Sequence, residues 1–236
     1  EDVRLSMRIG GVHKTSLIEF PGYLSAVVFV QGCTFRCPYC HNPELVDPRR
    51  FSALMPWEEV RAFLLRRRGL LQAVVFSGGE PLAQEDLLEK IEEVRHLGFA
   101  VKVDTNGSLP DRLALLLEKG VLDAVAMDIK GSPQRYAEVA GVPVEMEAVA
   151  ASVRLILGAK AVWHEFRSTV VKRFFSEEDV RAIGQFVAGA RRFALQRFRP
   201  GNTVDPSLGD ADVCSDEEME RYRGILSAFV AECRIR

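Results

Sequence analysis

Three cysteines lie close enough in the sequence Cys33-Thr34-Phe35-Arg36-Cys37-Pro38-Tyr39-Cys40 to bind one metal centre. Iron–sulfur cubanes normally have four cysteine ligands, and this segment contains no fourth. Three ligands leave one iron open, as a catalytic zinc keeps an open position, and an open iron can chelate the amino and carboxylate groups of a small molecule. Because thiolates also suit zinc, a structural zinc site with His41 as its fourth ligand stays open on spacing alone.

The other two cysteines, Cys214 and Cys233, are far from this triplet in the sequence. We interpret each as a buried or surface thiol with no role in the metal centre. An odd total of five, with three inside eight residues, is not typical of a secreted disulfide framework. The sequence also opens without a signal-like segment, so we expect a cytoplasmic protein.

The composition limits the classes of partner. The chain has 236 residues, of which 47% are hydrophobic and 27% charged, and its formal net charge is −2. This balance gives no electrostatic reason to expect nucleic acid or an acidic membrane surface. Apolar runs such as 26–30 are far too short to span a bilayer. We therefore predict no nucleic-acid partner and no membrane partner.

Strand and helix patterns alternate along the chain. Strands are predicted at 24–30, 72–76, 99–103, 122–127, 162–171 and 192–198. Helices are predicted at 56–68, 84–97, 108–120 and 145–157, with one from Ser176 and one from Ser215 towards Cys233. This alternation predicts an α/β fold with a parallel sheet and helical crossovers, either doubly wound or an incomplete barrel.

A polar segment follows or ends each predicted strand. The segments are 31–41, Ser77-Gly78-Gly79-Glu80-Pro81, Asp104-Thr105-Asn106-Gly107, Asp128-Ile129-Lys130, the pair Glu165 and Arg167, and Arg199-Pro200-Gly201-Asn202. Because the carboxyl ends of parallel strands share one edge, we expect these segments to converge on one ligand site. That convergence favours a splayed partial barrel.

The residue types suggest roles within such a site. Gly78 and Gly79 let the backbone approach a ligand, although a Gly-Gly pair is often only a turn. Glu80 can accept a hydrogen bond from an ammonium group. Lys130 and Arg167 can bind a carboxylate. Because Arg167 lies on an apolar strand, its charge must be paired, either with a ligand or with Glu165.

Two motifs carry a family resemblance. CTFRCPYCHNP resembles the signature of radical S-adenosylmethionine (SAM) enzymes, and SGGEP resembles that superfamily's loop for the SAM amino group. The resemblance implies a partial (β/α)6 TIM-type barrel with a [4Fe–4S] cluster on Cys33, Cys37 and Cys40. It also implies one radical SAM domain over 1–236, with an N-terminal extension at 1–23, the core at 24–200 and a C-terminal loop and helix at 201–236.

Further segments resemble activating enzymes of glycyl radical enzymes: 10–22, CPYCHNPELV, MDIK, EFRSTVV and LQRFRPGNTVDP. The set is most similar to the longer activators of anaerobic ribonucleoside-triphosphate reductases, with pyruvate formate-lyase activators as near relatives. The resemblance implies that Tyr39 and His41 contact the adenine and ribose end of SAM. Arg199 aligns near a position where these activators carry a histidine, and we count it among the SAM-binding residues.

The same resemblance implies a monovalent cation beside the SAM carboxylate. Its oxygen ligands would come from Asp104, Thr105, Asp128 and the Ala126 carbonyl, and hard cations prefer such ligands. Without the resemblance, Asp104 to Gly107 equally fits helix capping and a turn.

The function implied is reductive cleavage of SAM to a 5′-deoxyadenosyl radical, which takes a hydrogen atom from a glycine of a partner enzyme. The protein substrate is then a glycyl radical enzyme, and the electron donor is a flavodoxin- or ferredoxin-type protein. The alternatives are a radical SAM enzyme acting on a small molecule or RNA, and a zinc-stabilised binding module without catalysis.

Overall fold

The structure, a computed structural model, describes residues 6–236. Residues 1–5 of the predicted N-terminal extension lie outside the described residues. Within the described range the strands are hydrogen-bonded in chain order. They are β1 Ile9–Ser16, β2 Ser25–Val30, β3 Ala73–Gly78, β4 Ala100–Thr105, β5 Ala124–Asp128, β6 Trp163–Val170, β7 Arg192–Arg197 and β8 Glu232–Ile235.

Along the chain, each α-helix of residues 6–236 lies between two of these strands. They are α1 Pro43–Val46, α2 Trp57–Arg66, α3 Leu87–His96, α4 Pro110–Glu118, α5 Tyr136–Ala140, α6 Met146–Gly158, α7 Glu177–Phe186 and α8 Asp216–Leu226. All six predicted strands and all six predicted long helices are present, with ends shifted by a few residues.

The chain divides into two compact units that interleave along the sequence. Unit 1 holds the residues up to Thr34 together with Glu44–Thr105 and Asp111–Val125. Unit 2 holds Phe35–Pro43, Asn106–Pro110 and Ala126–Arg236. Neither unit is a continuous stretch of chain, so the division does not separate an early domain from a late one. The single domain over 1–236 stays a prediction.

Unit 1 is built on β1 to β4. Strand β1 runs antiparallel to β2, whereas β2, β3 and β4 are parallel, with Val27 opposite Val75 and Val75 opposite Lys102. The apolar residues of β2 and β3 are almost all fully buried, as expected for parallel strands that are covered on both faces. In this setting the ends of β3 and β4 carry Gly78 and Thr105, two predicted site residues.

Unit 2 contains β6, β7 and β8 in parallel, with Phe166 opposite Phe193 and Phe193 opposite Cys233. Ser176 and Ser215 cap α7 and α8, each in a capping box with an acidic residue three positions later. The predicted start of both helices is therefore confirmed, because each serine oxygen satisfies a backbone N–H that the helix itself cannot pair.

The prediction for the end of the chain is wrong in one respect. Helix α8 ends at Leu226, and Cys233 lies on β8 rather than on a helix. Strand β8 has four residues and takes its hydrogen bonds from β7, so its state depends on a neighbour distant in sequence. Strand β1, inside the predicted N-terminal extension, was missed for the same reason: only its pairing with β2 makes it a strand.

Candidate functional site

In unit 1 the start of the cysteine loop is fixed to the glycine loop after β3. The backbone N–H of Glu80 donates to the carbonyl of Gly32 across 2.8 Å, and Gly32 directly precedes Cys33. A Cβ atom on Gly79 would lie 2.0 Å from the Gly32 carbonyl oxygen, which is backbone and cannot rotate away. Gly78 has a φ of +107°, in the region that favours glycine. The two sequence motifs therefore meet here through their backbones, and two glycines permit it.

Behind this loop lies a group of buried charges, which we call the acidic cluster: Glu80, Lys102 and Asp104. Glu80 is fully buried and its Oε1 accepts a hydrogen bond from the Thr105 hydroxyl at 2.8 Å. Asp104 Oδ2 accepts from the Ser77 hydroxyl at 3.0 Å, and Asp104 Oδ1 is ion-paired with the Lys102 ammonium. The cluster carries two carboxylates and one ammonium. Its excess formal charge is negative, which suits a cationic group.

The rest of the cysteine loop belongs to unit 2. It has no regular secondary structure and is anchored by backbone hydrogen bonds from Arg36 to the Ala140 carbonyl at 2.8 Å and from Asp205 to the Pro38 carbonyl at 2.9 Å. The N–H of Cys40 donates to the Cys37 carbonyl at 3.0 Å, which closes a tight turn between two of the predicted ligands.

The thiols are in a state that fits metal binding. None of the five cysteines, all of which the structure describes, forms a disulfide. Cys37 is buried, whereas Cys33 and Cys40 are partly exposed. Burial raises the pKa of the Cys37 thiol to about 11, although the Lys130 ammonium acts in the opposite direction. Iron binding would therefore have to displace a proton from Cys37, as it does from any thiol that becomes a thiolate ligand.

A second group of charges lies in unit 2, and we call it the basic cluster: Asp128, Lys130 and Arg167. Lys130 Nζ donates to Asp128 Oδ2 at 2.9 Å, and Arg167 Nε donates to Asp128 Oδ1. Burial alone would raise the pKa of Asp128, but Arg167 and Lys130 outweigh it and hold this pKa well below its usual range. Two cations surround one carboxylate, so the excess formal charge is positive and suits an anionic group.

Tyr39 and His41 flank the last cysteine. Tyr39 is buried, and burial raises the pKa of its phenol well above the usual value. His41 is exposed; its Nε2 lies 2.6 Å from the Arg199 carbonyl oxygen and its ring stacks on Phe198. Because a carbonyl oxygen can only accept, His41 Nε2 must donate and carries the proton. That nitrogen has no lone pair for zinc in this arrangement.

The remaining predicted residues have other partners. Glu165 is buried and pairs with Arg236 through two hydrogen bonds of 2.8 and 2.7 Å, so of the two alternatives for Arg167, a ligand or Glu165, the second is not observed. Cys214 is buried and Cys233 is partly buried; in both cases burial raises the pKa of the thiol, in Cys233 to about 11. Such thiols are inert rather than reactive.

Two features are absent from residues 6–236. No three His, Cys, Asp or Glu side chains are arranged to hold a single metal ion. No helix in that range has the length and apolarity needed to cross a bilayer.

Sequence reasoning missed Lys102. It sits among apolar residues on β4, in the sequence Ala100-Val101-Lys102-Val103, and its side chain is only 2% exposed. A lysine at a central position of a predicted buried strand was the available signal, because a buried ammonium must have a partner.

The chain belongs to the radical SAM superfamily, whose profile matches residues 27–185. The matched range contains the cysteine triplet, the glycine loop and both charge clusters. Membership implies a [4Fe–4S] cluster and SAM as cofactors, as predicted.

Sequence relatives divide into full-length and partial matches. A Methanocaldococcus jannaschii protein named as a candidate glycyl-radical enzyme activating enzyme is 29% identical over 97% of this chain and 95% of its own length. The pyruvate formate-lyase-activating enzyme of Clostridium pasteurianum is 34% identical over 52% of each chain. The 7-carboxy-7-deazaguanine synthase of Methanopyrus kandleri is 35% identical over 48% of this chain and 51% of its own.

The fold is shared with solved structures. A domain of a pyruvate-formate lyase-activating enzyme from Bacteroides vulgatus aligns with a TM-score of 0.57 at 18% identity, covering 70% of this chain and 99% of that one. This likeness concerns the fold alone. Together with the parallel strands and alternating helices, it confirms the predicted α/β class of the radical SAM core.

Proposed function

We propose that this chain is a radical SAM activating enzyme that cleaves SAM reductively and installs a glycyl radical on a partner enzyme. The observation that carries the proposal is the backbone hydrogen bond from Glu80 to Gly32, which joins the glycine loop to the cysteine loop next to Cys33. The full-length likeness to the M. jannaschii relative supports the class of reaction.

The cysteines would hold the cluster. Cys33, Cys37 and Cys40 form no disulfide and lie within eight residues, and the turn between Cys37 and Cys40 places two of them on the same anchored segment. When bound, the reduced cluster supplies one electron to the SAM sulfonium, which breaks to methionine and a 5′-deoxyadenosyl radical. The protein's part is to bind, orient and shield the reactants.

The two charge clusters would bind the methionine part of SAM. The acidic cluster, with Glu80 in the half-buried glycine loop, suits the ammonium group, while Lys130 and Arg167 of the basic cluster suit the carboxylate. Charge-assisted hydrogen bonds of this kind orient a zwitterion in one direction only. Gly78 and Gly79 leave room for the ligand's close approach to the backbone.

Tyr39, His41 and Arg199 would contact the nucleoside. His41 already stacks on Phe198 and bonds to the Arg199 backbone, so its ring is held in one orientation before any ligand arrives. An adenine or ribose contact on the opposite ring face would then require little reorganisation.

The preferred partner is an anaerobic ribonucleoside-triphosphate reductase, with a formate lyase as the second candidate. The choice of a reductase as the partner rests on the family resemblance of the sequence segments named under Sequence analysis. The lyase is supported by the partial match to the C. pasteurianum enzyme. A flavodoxin- or ferredoxin-type electron donor and a cytoplasmic location stay predictions. So does the monovalent cation, whose three predicted side-chain ligands, Asp104, Thr105 and Asp128, all have partners within the protein.

The first experiment tests the cluster and SAM cleavage. Anaerobically reconstituted wild type should contain about four irons per chain, as a cubane requires, and should release 5′-deoxyadenosine after reduction with SAM. Cys37→Ala should lose the cluster absorbance and the cleavage, whereas the control Cys233→Ala should keep both, because Cys233 lies on β8 and is not one of the predicted ligands. One zinc per chain with no labile sulfide would instead identify a zinc-binding module.

The second experiment tests the substrate. Loaded enzyme, reductant and SAM are mixed with a reductase in one sample and a formate lyase in another, and glycyl radical is measured by electron paramagnetic resonance. A doublet with the reductase is expected. If 5′-deoxyadenosine forms but neither protein gains a radical, a small-molecule substrate becomes the better reading, in line with the partial match to a deazaguanine synthase.

A further inference from the structure

Lys102 is a buried charged residue to which the predicted SAM site gives no role. It lies two positions before Asp104 on β4, and residues two apart on a strand share a face of the sheet. Both side chains are buried, at 2% and 5% exposure, and they form an ion pair. A lysine is almost never buried unless it is paired, so this pair is a built feature of the site.

The residues predicted to bind a monovalent cation do not fit one. Asp104 is ion-paired with Lys102, and Asp128 is ion-paired with Lys130 and Arg167. A K⁺ or Na⁺ ion at either carboxylate would meet a fixed positive charge on the same group, and like charges at such distances repel strongly away from bulk water.

The remaining ligands do not repair this mismatch. The Thr105 hydroxyl donates a hydrogen bond to Glu80, and its oxygen is a neutral ligand that cannot offset the positive charges already paired with the two carboxylates.

We propose that the Lys102 ammonium supplies, at Asp104, the positive charge that the family resemblance assigns to a monovalent cation, so that SAM binding needs neither K⁺ nor Na⁺. Lys102 is a positioning residue, because it acts through Asp104. The inference rests on the proposed SAM site.

The chemistry of lysine suits this replacement. Its ammonium is a compact point charge on a flexible stem, closer to an alkali ion than the planar guanidinium of arginine is. A tethered charge is present at every salt concentration, whereas a bound ion is present only in proportion to its concentration and affinity. The Ser77 hydroxyl donates a hydrogen bond of 3.0 Å to the second Asp104 oxygen, so both oxygens of that carboxylate have a partner without an added ion.

The test compares cation binding and SAM affinity in wild type and Lys102→Ala. Binding of Tl⁺, a K⁺ surrogate, is followed by ²⁰⁵Tl NMR on apo protein. The dissociation constant of SAM is measured on cluster-loaded protein in potassium, sodium or tetramethylammonium chloride at equal ionic strength. Wild type should show SAM affinities within about twofold of one another in the three salts, since a tethered charge does not vary with the salt.

In Lys102→Ala, both Tl⁺ binding and a dependence of SAM affinity on K⁺ should appear. Its Asp104 loses the ammonium, so we expect additional Tl⁺ broadening relative to wild type. In tetramethylammonium, SAM affinity should fall about tenfold, and K⁺ or NH₄⁺ should restore most of it. The matched control is Lys119→Ala, which removes an exposed lysine and should behave as wild type. The double variant Lys102→Ala/Asp104→Asn removes both charges and should neither bind Tl⁺ nor respond to K⁺.

Several outcomes would overturn the inference. A wild type whose SAM affinity rises severalfold with K⁺ binds a cation, and a folded Lys102→Ala without any cation response shows that Lys102 replaces none. If Lys102→Ala does not fold, the salt dependence of SAM affinity in wild type still decides whether SAM binding needs a cation. If loaded protein fails to bind SAM, the proposed function fails, but the Tl⁺ comparison on apo protein still decides the inference.

Discussion

The acidic cluster of unit 1 and the basic cluster of unit 2 both combine carboxylates with cationic side chains, but their net formal charges have opposite signs. In the first, Lys102 pairs with Asp104 and Glu80 adds a second carboxylate; in the second, Lys130 and Arg167 share Asp128. Each cluster is paired internally, yet each keeps one charge in excess. The difference is what the proposed function relies on: it assigns the ammonium of SAM to the acidic cluster and the carboxylate of SAM to the basic cluster.

The clusters also differ in how they are held. The acidic cluster is buried, with Glu80 at 0% and Lys102 at 2% exposure, and its loop is tied by backbone contacts that need glycine. The basic cluster is more open, since the side chains of Asp128, Lys130 and Arg167 keep 28%, 15% and 12% exposure. The first is therefore sensitive to added volume, and the second to changes of charge.

The largest effect should come from adding volume beside the acidic cluster. Gly79→Ala places a Cβ 2.0 Å from the Gly32 carbonyl oxygen, so backbone must move. We expect a loss of about 1–3 kcal/mol in the free energy of unfolding and a marked loss of SAM binding, measured by urea denaturation and equilibrium binding.

Gly11→Ala is the matched control, because a Cβ there meets nothing within 4 Å. Unchanged SAM affinity in Gly79→Ala would mean that the junction between the two loops does not shape the ligand site.

An intermediate effect should come from removing charge in the basic cluster. Lys130→Met should weaken SAM binding roughly 10- to 100-fold, the usual cost of a lost charged hydrogen bond. It should leave binding of decarboxylated SAM almost unchanged, because that analogue lacks the carboxylate. Glu80→Gln should weaken both ligands alike, since both keep the ammonium.

Lys160→Met, at an exposed position, controls for loss of a lysine. Equal losses for SAM and its decarboxylated analogue in Lys130→Met would contradict the assignment of the carboxylate to this cluster.

The smallest effect should be a change in acid stability. The pKa of folded Asp128 lies below its unfolded value, near 3.9 for a free aspartate. The unfolded state therefore binds more protons around pH 4, so this contribution is complete above that pH and is lost as the pH falls.

The gap in unfolding free energy between wild type and Asp128→Asn should accordingly narrow by about 0.5 kcal/mol between pH 6 and 3.5, because only part of the unfolded-state titration near pH 3.9 falls in that range. Urea denaturation of apo protein at several pH values measures it. A gap that stays constant over this range would show that Asp128 is not held ionised by its partners.

Much of the fold could be read from the sequence, because periodic burial and helix caps are local signals. The strands around Val27 and Val75 and the caps at Ser176 and Ser215 all lie where their residues predicted them. Strands β1 and β8 could not be read, since their hydrogen bonds come from partners elsewhere in the chain. Glu165 was matched to a near neighbour, whereas its partner Arg236 is 71 residues away.

The sequence by itself determined the family and supplied the candidate residues for a cluster and SAM, because cysteine spacing and paired glycines depend on chemistry that is local to a loop. Only the tertiary structure decided how the charges combine. It paired Lys102 with Asp104 and divided Asp128 between Lys130 and Arg167, since burial forces each charge to find a partner and the packing of strands decides which partner is within reach.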